Sequence, residues 1–418
     1  MKGLKLIKIA VIAGVTVCNV LAANAQIKGC NDSKAQNYNA LATHNDGGCV
    51  YNAVSAMPEN PIELPAVLKE TSGLIYFNAK LWSHNDDTDN KLYAFDPLNP
   101  TVYQAYMLTG VVNKEWEDIA QDKDYVYVGD VGNNASGNRT DLKILRVSKS
   151  SLLQNSPVVE TIRFSYDRQT DFAAKEPNKT DFDCEAFVVA GDSIYLFTKE
   201  WLSHKTSIYA LPKTAGNYSA KYRGSYQVDG LITGATCLED KSLVALCGYS
   251  ESLQPFVVLL YDFEKNNFLS ANKRKIQLDL IYHQVEGIST TDGLNYYISN
   301  EKISYSYFTV PPKIHSLNLS AFLSDYLDKK TGLQSVYQYT TDFKVYPNPV
   351  HDILKFDFSE PSAKTVSVFN MPGQFMGAFT AQNGYLSIPV TNFSNGMYHF
   401  KINNPTKNTC TGSFLIMK

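Results

Sequence analysis

Residues 185–199 read EAFVVAGDSIYLFTK, and this stretch holds the pattern that decides the fold. It begins with an acidic residue and a short apolar strand, turns through polar residues, and returns as a second strand. The pattern recurs at ETSGLIYFNAKLWSHND (70–86), EDIAQDKDYVYVGD (117–130), GATCLEDKSLVALCGY (234–249) and EGISTTDGLNYYISNE (286–301). The middle of the chain is therefore predicted to be a series of similar β-hairpins, spaced by roughly 50 residues.

Further strands follow each hairpin. The third strands are LYAFD (92–96), KILRV (143–147), SIYAL (207–211), VVLLYDF (257–263) and KIHSLNL (313–319). The fourth strands are VYQAYML (102–108), VVETIRFSY (158–166), YRGSYQV (222–228) and KIQLDLI (275–281). Four antiparallel strands that recur in this way are typical of the blades of a β-propeller. We therefore expect an all-β protein with a five- or six-bladed β-propeller over residues 60–340, in which a sixth blade would lie in 148–184 or 320–340.

The last repeat lacks a fourth strand of its own. Residues 62–67 precede the first repeat, at the position that a fourth strand occupies in the other repeats. A strand from the start of the chain would then pair with the final blade and close the ring, which removes the open sheet edges.

Acidic residues stand at the ends of these hairpins. In a propeller blade, the start of the first strand and the end of the second lie at the same mouth of the central channel. The candidate metal ligands at this mouth are Glu70, Asp86, Glu117, Asp118, Asp130, Asp183, Glu185, Glu286 and Glu301. The fourth repeat differs, because it has Thr233 and Thr236 where the others have an acid.

Clustered carboxylates raise one another's pKa unless cations lie among them, and Ca²⁺ binds about six to eight such oxygens with tolerant geometry. The pattern therefore predicts Ca²⁺ as a cofactor. Beside the acids, His84, Trp116 and Lys199 are the candidate ligand-binding residues, and Trp82, Trp116 and Trp201 would either stack on a sugar or cover the core. Two alternatives stay open: the acids cap strand ends by accepting backbone hydrogen bonds, or the assumed register is wrong.

Four segments resemble the repeats of phytase-like and related secreted propellers. They are HNDDTDN (84–90), WEDIAQDKDYVYVGDVGNN (116–134) with Arg139, DCEAFVVAGDSIYLFTK (183–199) and QVEGISTTDGLNYYISNE (284–301). The resemblance implies a Ca²⁺-dependent phosphoesterase whose metal ligands are Glu117, Asp130, Glu185 and Glu286, with Lys199 and Arg139 as candidate catalytic residues that bind phosphate. Because few basic residues can be placed at the mouth, we favour non-enzymatic binding of Ca²⁺ and of an unknown small ligand or glycan, and keep the phosphoesterase as the alternative.

The first 25 residues have the features of a secretory signal peptide. Lys2, Lys5 and Lys8 form a basic start, residues 9–21 an apolar core, and Ala-Asn-Ala at 23–25 a small-residue cleavage site. The apolar run is too short to span a bilayer comfortably, so we expect no transmembrane segment in the mature chain. Cys18 raises the alternative of a lipoprotein.

A polar stretch, GCNDSKAQNYNALATHNDGGCVY (29–51), follows the signal peptide. It has almost nothing to bury, so a disulfide between Cys30 and Cys49 is predicted to staple residues 26–52 into a module, which resembles the Cys-Asn-Tyr repeats of secreted bacterial proteins. Its polar side chains would bind calcium or form Asx turns; they are Asp32, Asn37, Asn45 and Asp46. Cys237 and Cys247 would form a cross-strand disulfide or remain as two buried thiols, and the pairing of Cys184 and Cys410 is left open.

After Thr341 the sequence changes to six short alternating strands separated by turn signals, which predicts a small β-sandwich over residues 343–418. The segments VYPNPVHDIL (345–354), VSVFNMPGQ (366–374), SNGMYHFKI (394–402) and FLIMK (414–418) resemble the C-terminal sorting domain of the type IX secretion system. The resemblance implies the type IX machinery as a partner and a location outside a Gram-negative cell, secreted or on its surface. A plain adhesive sandwich is the alternative.

Composition excludes several classes of protein. The chain has 418 residues, 44% of them hydrophobic and 19% charged, and a net charge of −3, which argues against a nucleic-acid-binding surface and against a disordered chain. It contains no HExxH, P-loop, dinucleotide-binding or CxxC motif. We expect a monomer with no nucleic-acid partner.

Overall fold

A computed structural model describes residues 27–87, 89–305, 307–330, 343–359, 364–370, 374–404 and 407–418. The predicted signal peptide lies outside the described residues. Most of the described secondary structure is β-strand, with only two short α-helices and three 3₁₀ turns at Ala66–Leu68, Glu239–Lys241 and Phe268–Ser270. Among the described helices, none has the length and apolar character that crossing a bilayer requires.

The stapled module lies at the start of the described chain. It contains β1 (Lys28–Gly29) and β2 (His44–Asn45), and it is followed by β3 (Ser55–Ala56) and β4 (Glu59–Glu63). The predicted disulfide is confirmed, because Cys30 and Cys49 are bonded. Side-chain oxygens of Asp32, Asn45 and Asp46 accept backbone N–H bonds two residues ahead, which is the Asx-turn alternative.

Five four-stranded sheets follow. Sheet 1 contains β5 (Thr71–Phe77), β6 (Lys80–Asn85), β7 (Lys91–Asp96) and β8 (Asn99–Met107). Sheet 2 contains β9 (Trp116–Gln121), β10 (Tyr125–Asp130), β11 (Lys143–Ser148) and, after α1 (Lys149–Leu153), β12 (Val159–Tyr166). Sheet 3 contains β13 (Asp183–Ala190), β14 (Ser193–Lys199), β15 (Lys205–Pro212) and β16 (Gly216–Gln227). Sheet 4 contains β17 (Leu231–Leu238), β18 (Leu243–Tyr249), β19 (Pro255–Tyr261) and β20 (Asn272–Leu278), to which β3 adds in parallel.

Sheet 5 has a different chain order. It contains β21 (Val285–Thr290), β22 (Asn295–Asn300), β25 (Lys313–Asn318) and β4, while β23 (Ile303–Tyr305) and β24 (Phe308–Val310) form a separate hairpin. The predicted closing strand is confirmed, since Ile62 of β4 pairs with Ile314 of β25. The strand ends at Glu63 rather than at residue 67, because the chain enters a 3₁₀ turn immediately after Pro65.

The first strands of the five sheets contact one another in a closed order, β5 to β9 to β13 to β17 to β21 and back to β5. These strands have neighbours on both faces, so most of their residues are buried; in β13 and β21 every residue is buried. On the outside, β12 and β16 pair in parallel and join sheets 2 and 3 into one eight-stranded sheet.

The hydrophobic core is divided among the interfaces between neighbouring sheets. Ile75 and Trp82 of sheet 1 pack with Ile119 and Val128 of sheet 2, and four similar clusters fill the other interfaces. The helix α2 (Ser320–Lys330) covers one cluster with the buried side chain of Leu323. Each pair of sheets thus buries a small core of its own.

The C-terminal part forms two sheets that enclose one hydrophobic cluster. One sheet contains β26 (Phe343–Tyr346), β27 (Ile353–Phe358) and β30 (Tyr385–Pro389), and the other contains β28 (Thr365–Asn370), β29 (Phe375–Thr380), β31 (Gly396–Asn404) and β32 (Lys407–Ile416). The six predicted strands are present, and β29 is an additional strand that the sequence interpretation missed.

Three cysteines outside the module, Cys184, Cys237 and Cys247, are free. Cys237 lies opposite Val244, and Cys247 lies opposite Gly234, so the two do not face each other across the hairpin. The alternative of two free thiols is therefore correct. The side chain of Cys410 lies outside the described part of the molecule.

Candidate functional site

A β-bulge interrupts the start of each inner hairpin at the same end of the ring. In sheet 2, Asp130 pairs with Trp116 and Gly129 pairs with Asp118, so Glu117 between them has no partner across the hairpin. The corresponding unpaired residues are Glu185 in sheet 3, Thr233 in sheet 4 and Glu286 in sheet 5. In sheet 1, Ser72 is the residue at the aligned position. A bulge turns its residue out of the regular alternation, and here it presents three glutamates to one end of the ring.

The second strand of each hairpin contributes one more residue at this end. Aligned by the same pairing, these residues are Asp86, Val131, Lys199, Tyr249 and Glu301. The four polar residues of this set join the three bulged glutamates and Asp183 in a cluster that we call the acidic mouth. It comprises Asp86, Glu117, Asp183, Glu185, Lys199, Tyr249, Glu286 and Glu301.

The carboxyl groups of the acidic mouth repel one another. Burial raises the pKa of Glu117, and the nearby charge of Glu185 raises it further. Burial likewise raises the pKa of Glu286 well above its ordinary value, and that of Glu185 to about 8. At the rim, burial and neighbouring carboxylates raise the pKa of Asp86 and of Glu301 to about 7. The acidic mouth therefore resists full ionisation near neutral pH.

Lys199 is the cation within this cluster. Its Nζ donates to Glu185 Oε2 at 2.5 Å and to the Tyr249 hydroxyl at 3.0 Å, and it lies 4.6 Å from the centre of the Trp201 ring. Burial by itself lowers the pKa of Lys199, but the Glu185 carboxylate and its neighbours outweigh burial and hold the pKa well above its usual value. Lys199 stays charged and compensates one carboxylate.

Glu117 and Glu286 are each 6% exposed. Among the described residues, no hydrogen bond reaches either carboxylate. The glycine at position 132 makes room for the Glu117 carboxyl group. A Cβ atom placed on Gly132 would lie only 1.9 Å from Glu117 Oε1, so a residue with a side chain would collide with this oxygen. The acidic mouth therefore holds two buried carboxyl groups that accept no hydrogen bond from the described residues, and only the charge of Lys199 opposes their burial.

A second group of acids lies at the rim. Ligand oxygens of Glu70, Asp86 and Asp87 all lie within 4.8 Å of one another. Glu70 Oε2 and Asp86 Oδ1 are buried and have no hydrogen-bond partner among the residues that the structure describes, although the other oxygen of Glu70 pairs with Lys69 Nζ at 2.9 Å. Because Asp86 also interacts electrostatically with Glu301, this group is continuous with the acidic mouth.

Two predicted ligands, Asp118 and Asp130, lie outside the cluster. Asp118 accepts the backbone N–H groups of Ile119 and Phe187, the second from the neighbouring sheet. Asp130 pairs with Arg139 at 2.7 Å and with Lys143 at 2.5 Å. Each is one residue out of phase with the residue at the mouth, so its side chain points to the other face of its strand. The capping alternative applies to Asp118, whereas Asp130 forms ion pairs with side chains instead.

The remaining candidates are held within the protein. Arg139 also donates to Gly132 O at 2.7 Å and to Asp141, which leaves its guanidinium little freedom to bind phosphate. His84 and Trp116 are fully buried, with ring centres 5.7 Å apart in an edge-to-face contact, so they offer no surface to a ligand. Burial lowers the pKa of His84 to about 4 and keeps it neutral.

Sequence reasoning missed Tyr249 and Asp87. Tyr249 ends GATCLEDKSLVALCGY at the position that Lys199 and Glu301 occupy in their repeats, so alignment of the hairpin ends would have found it. Asp87 directly follows Asp86 in HNDDTDN.

Comparisons with known proteins identify the C-terminal part. Residues 344–417 match the family model of the secretion system C-terminal sorting domain. No curated protein sequence matches the chain.

Similarity to solved structures is low. PorZ, a surface component of the type IX secretion system of Porphyromonas gingivalis, is 11% identical with a TM-score of 0.32; the match covers 83% of this chain and 45% of PorZ, so the chain spans less than half the length of that protein. The glutaminyl cyclase of Myxococcus xanthus is 11% identical over 64% of this chain and 98% of its own, with a TM-score of 0.39. An exo-β-1,3-galactanase from Phanerochaete chrysosporium is 9% identical over 85% and 99%, with a TM-score of 0.38.

TM-scores below 0.5 do not establish a shared fold, so location rests on the C-terminal match and on the sorting-domain segments in the sequence. The chain carries a type IX secretion sorting domain at residues 344–417, and the protein is secreted or held on the outer surface of a Gram-negative cell.

Proposed function

We propose that sheets 1 to 5 form a five-bladed β-propeller and that its acidic mouth binds a divalent cation, for which Ca²⁺ is the candidate. The observation that carries this proposal is the pair of buried carboxylates, Glu117 and Glu286, that have no partner within the described protein. A cation bound at the acidic mouth would add to the compensation that Lys199 provides.

The ligand set favours Ca²⁺ over softer metals. The acidic mouth and its rim offer carboxylate oxygens, and the tyrosine hydroxyl of Tyr249 is already hydrogen-bonded to Lys199. Hard oxygen ligands suit Ca²⁺ or Mg²⁺, and an arrangement contributed by several strands suits the higher coordination number and looser geometry of Ca²⁺.

The bound ion would also provide the contact for an external ligand. The bulged glutamates are only 3–6% exposed, which leaves no room for a sugar ring beside them. Asp87 at the rim is exposed, so a glycan or another oxygen-rich ligand would meet the site there through the cation. The phosphoesterase alternative has no specific support, because Lys199 and Arg139 already donate to carboxylates of the chain.

Calorimetric titration of chelator-treated protein with CaCl₂ tests the proposal. We expect saturable binding, a higher melting temperature with Ca²⁺ than with chelator, and loss of both in Glu286→Gln, which keeps the shape of the side chain and removes its charge. Glu176→Gln, at an exposed position, is the matched control and should behave as wild type. No heat of binding at millimolar Ca²⁺, together with no effect of chelator on melting, would refute the cation site.

A further inference from the structure

A cleft lies between sheets 5 and 1, at the end of the ring opposite the acidic mouth. It has a volume of about 480 Å³. Its walls come from the last residues of β5, β21 and β25 and from the first residues of β4 and β22. Because β5 and β21 begin at the acidic mouth, the length of these strands separates the cleft from the proposed cation site.

Strand register places five lining residues on one face of sheet 5. Tyr297 pairs with Ser316, and Asn295 pairs with Asn318. On the outer side of β25, Ser316 also pairs with Glu59 of β4. Directly paired residues point to the same face of a sheet, as do residues two apart on one strand. Tyr297 packs on the hydrophobic cluster between sheets 5 and 1, so this face is turned towards sheet 1.

Two tyrosines line the cleft from its two sides. Tyr76 comes from sheet 1 and Tyr297 from sheet 5, and both are partly exposed. Burial raises the pKa of Tyr297, and its electrostatic interaction with Tyr76 raises it further, so the two residues lie close together. Within the described chain, neither tyrosine hydroxyl forms a hydrogen bond. Both rings therefore have a polar end that is available to a ligand.

Hydrogen bonds within the chain hold the polar wall of the cleft in place. Asp292 Oδ2 accepts from Asn295 Nδ2 at 2.8 Å, and Asn295 Oδ1 accepts from Asn318 Nδ2 at 2.8 Å. Ser316 Oγ accepts from Asn60 Nδ2 at 2.9 Å. Each amide group and each hydroxyl keeps further hydrogen-bonding capacity beyond these contacts. The wall thus offers donors and acceptors in fixed positions.

The charge of the cleft is negative. Its lining includes Glu59 and Asp292, and within the part of the chain that the structure describes it includes no Lys, Arg or His. Asp292 is neutralised in part by its own turn, where Oδ1 accepts the backbone N–H groups of Leu294 and Asn295. Glu59 is exposed, and its carboxylate contacts no donor of the described residues. An anionic ligand would be repelled by this lining, so a neutral ligand fits it better.

We propose that this cleft binds a neutral saccharide of one or two pyranose rings. A pyranose has C–H faces that pack on aromatic rings, and hydroxyl groups that both donate and accept hydrogen bonds. The rings of Tyr76 and Tyr297 suit the first, and the amides, hydroxyls and carboxylates of the polar wall suit the second. The volume lies within the usual range of small-molecule sites, about 300–1,000 Å³.

Calorimetric titration with cellobiose, maltose, N,N′-diacetylchitobiose and glucuronate tests the proposal. The titrations are made in chelator, so that the cation site does not contribute. We expect at least one neutral disaccharide to bind once per chain with a Kd of about 1 mM or tighter, and glucuronate to bind at least tenfold more weakly. The proposal is wrong if no neutral disaccharide binds at about 10 mM, or if glucuronate binds more tightly than all three.

Variants of the two tyrosines assign the binding to the cleft. Tyr76→Leu and Tyr297→Leu keep apolar packing and remove the aromatic face, and each should weaken disaccharide binding at least tenfold. The control is Tyr385→Leu, since Tyr385 is an exposed tyrosine of β30 in the C-terminal sandwich and should not affect binding. Disaccharide binding that is unchanged in both cleft variants would overturn the assignment.

Two further variants test the charge of the cleft and its independence from the cation site. Glu59→Gln, at an exposed position, should strengthen glucuronate binding and leave that of the neutral disaccharide within about twofold, which a purely structural role of Glu59 does not predict. This variant also tests the proposal if the tyrosine variants fail to fold. Glu286→Gln should lose the response to Ca²⁺ and keep the response to the disaccharide. Loss of disaccharide binding in Glu286→Gln would place the saccharide at the acidic mouth instead.

Discussion

At the residue scale, what sets Glu117 apart from its neighbour Asp118 is one step of strand alternation. Glu117 occupies the bulge and joins the acidic mouth, whereas Asp118 accepts backbone N–H bonds from the next sheet. Thr233, the bulge residue of sheet 4, and Ser72, the aligned residue of sheet 1, donate their hydroxyls to backbone carbonyls of a neighbouring strand. A β-bulge at this position can therefore hold either a carboxyl group of the acidic mouth or a hydroxyl that forms a structural hydrogen bond, and the bulged side chain decides which.

Among the side chains of the acidic mouth, Lys199 is expected to contribute most to the stability of the metal-free protein. Lys199→Met leaves the Glu185 carboxylate buried and unpaired, so we expect a loss of about 3–5 kcal/mol in the free energy of unfolding. Denaturant titration in chelator measures this loss, and added Ca²⁺ should recover part of it. The control is Lys175→Met, because the pair of Lys175 with Asp171 is largely exposed and its loss should change the free energy of unfolding far less. Equal effects of the two substitutions would contradict the prediction.

At the element scale, small residues allow the first strands to approach closely around the ring. A Cβ placed on Gly234 would lie 2.7 Å from the backbone oxygen of Glu286 in the next sheet, and one on Gly73 would lie 2.6 Å from the backbone nitrogen of Ile119. At the aligned position of sheet 3, Ala186 is tolerated. Sheet 5 has Gly287 at this position and sheet 2 has Asp118, so small residues allow the close approach in four of the five first strands.

Gly234→Ala is therefore expected to destabilise the protein by about 1–3 kcal/mol, because the new methyl group meets backbone that cannot move aside alone. Gly110→Ala is the comparison: nothing lies within 4 Å of its Cβ, and its φ of +79° is the only source of strain, which costs about 1 kcal/mol. Denaturant titration of both variants measures the difference. A smaller loss at Gly234 than at Gly110 would show that the ring is not closely packed there.

The closing strand gives a second prediction at this scale. A variant that begins at Leu64 lacks β4, so β25 becomes an open edge of sheet 5. We expect a lower melting temperature and concentration-dependent association, because an exposed edge offers unpaired backbone groups to another chain. Calorimetry and size-exclusion chromatography measure the two effects. A variant that begins at Ala53 keeps β4 and serves as the comparison, and it should remain monomeric.

At the scale of the whole molecule, the acidic mouth makes stability depend on pH. Asp86, Glu185 and Glu301 have pKa values of about 7, 8 and 7 in the folded protein, above their ordinary values, so the folded state binds more protons than the unfolded state. Stability then falls as the pH rises from the unfolded pKa towards the folded pKa. Burial lowers the pKa values of His84 and His315 to about 4, so these two residues make stability rise with pH. Their contribution no longer changes above about pH 6.5, the ordinary pKa of histidine.

We therefore expect the melting temperature in chelator to fall between pH 6.5 and 8, and to fall less in saturating Ca²⁺, where the ion compensates the ionised carboxylates. Calorimetry across this range with and without Ca²⁺ measures both trends. A melting temperature that rises from pH 6.5 to 8 in chelator would contradict the burial of these acids.

Sequence patterns predicted the repeats, the closing strand, the disulfide and the sorting domain, because each has a periodicity or a motif of its own. The gathering of Glu117, Glu185 and Glu286 followed from their places at hairpin ends. The sequence interpretation could not separate Asp130 from these three, since a bulge adds one residue to a strand without a compositional signal.

The pairing of β4 with β25 also constrains the order in which the chain can fold. Ile62 is synthesised early and Ile314 late, so sheet 5 cannot be completed until nearly all of the five-sheet region has emerged. Contacts between such distant segments form slowly, because a long loop must close before any interaction compensates its lost entropy. The last sheet therefore stays incomplete during most of the synthesis, and the ring can close only once both of its ends are free to meet.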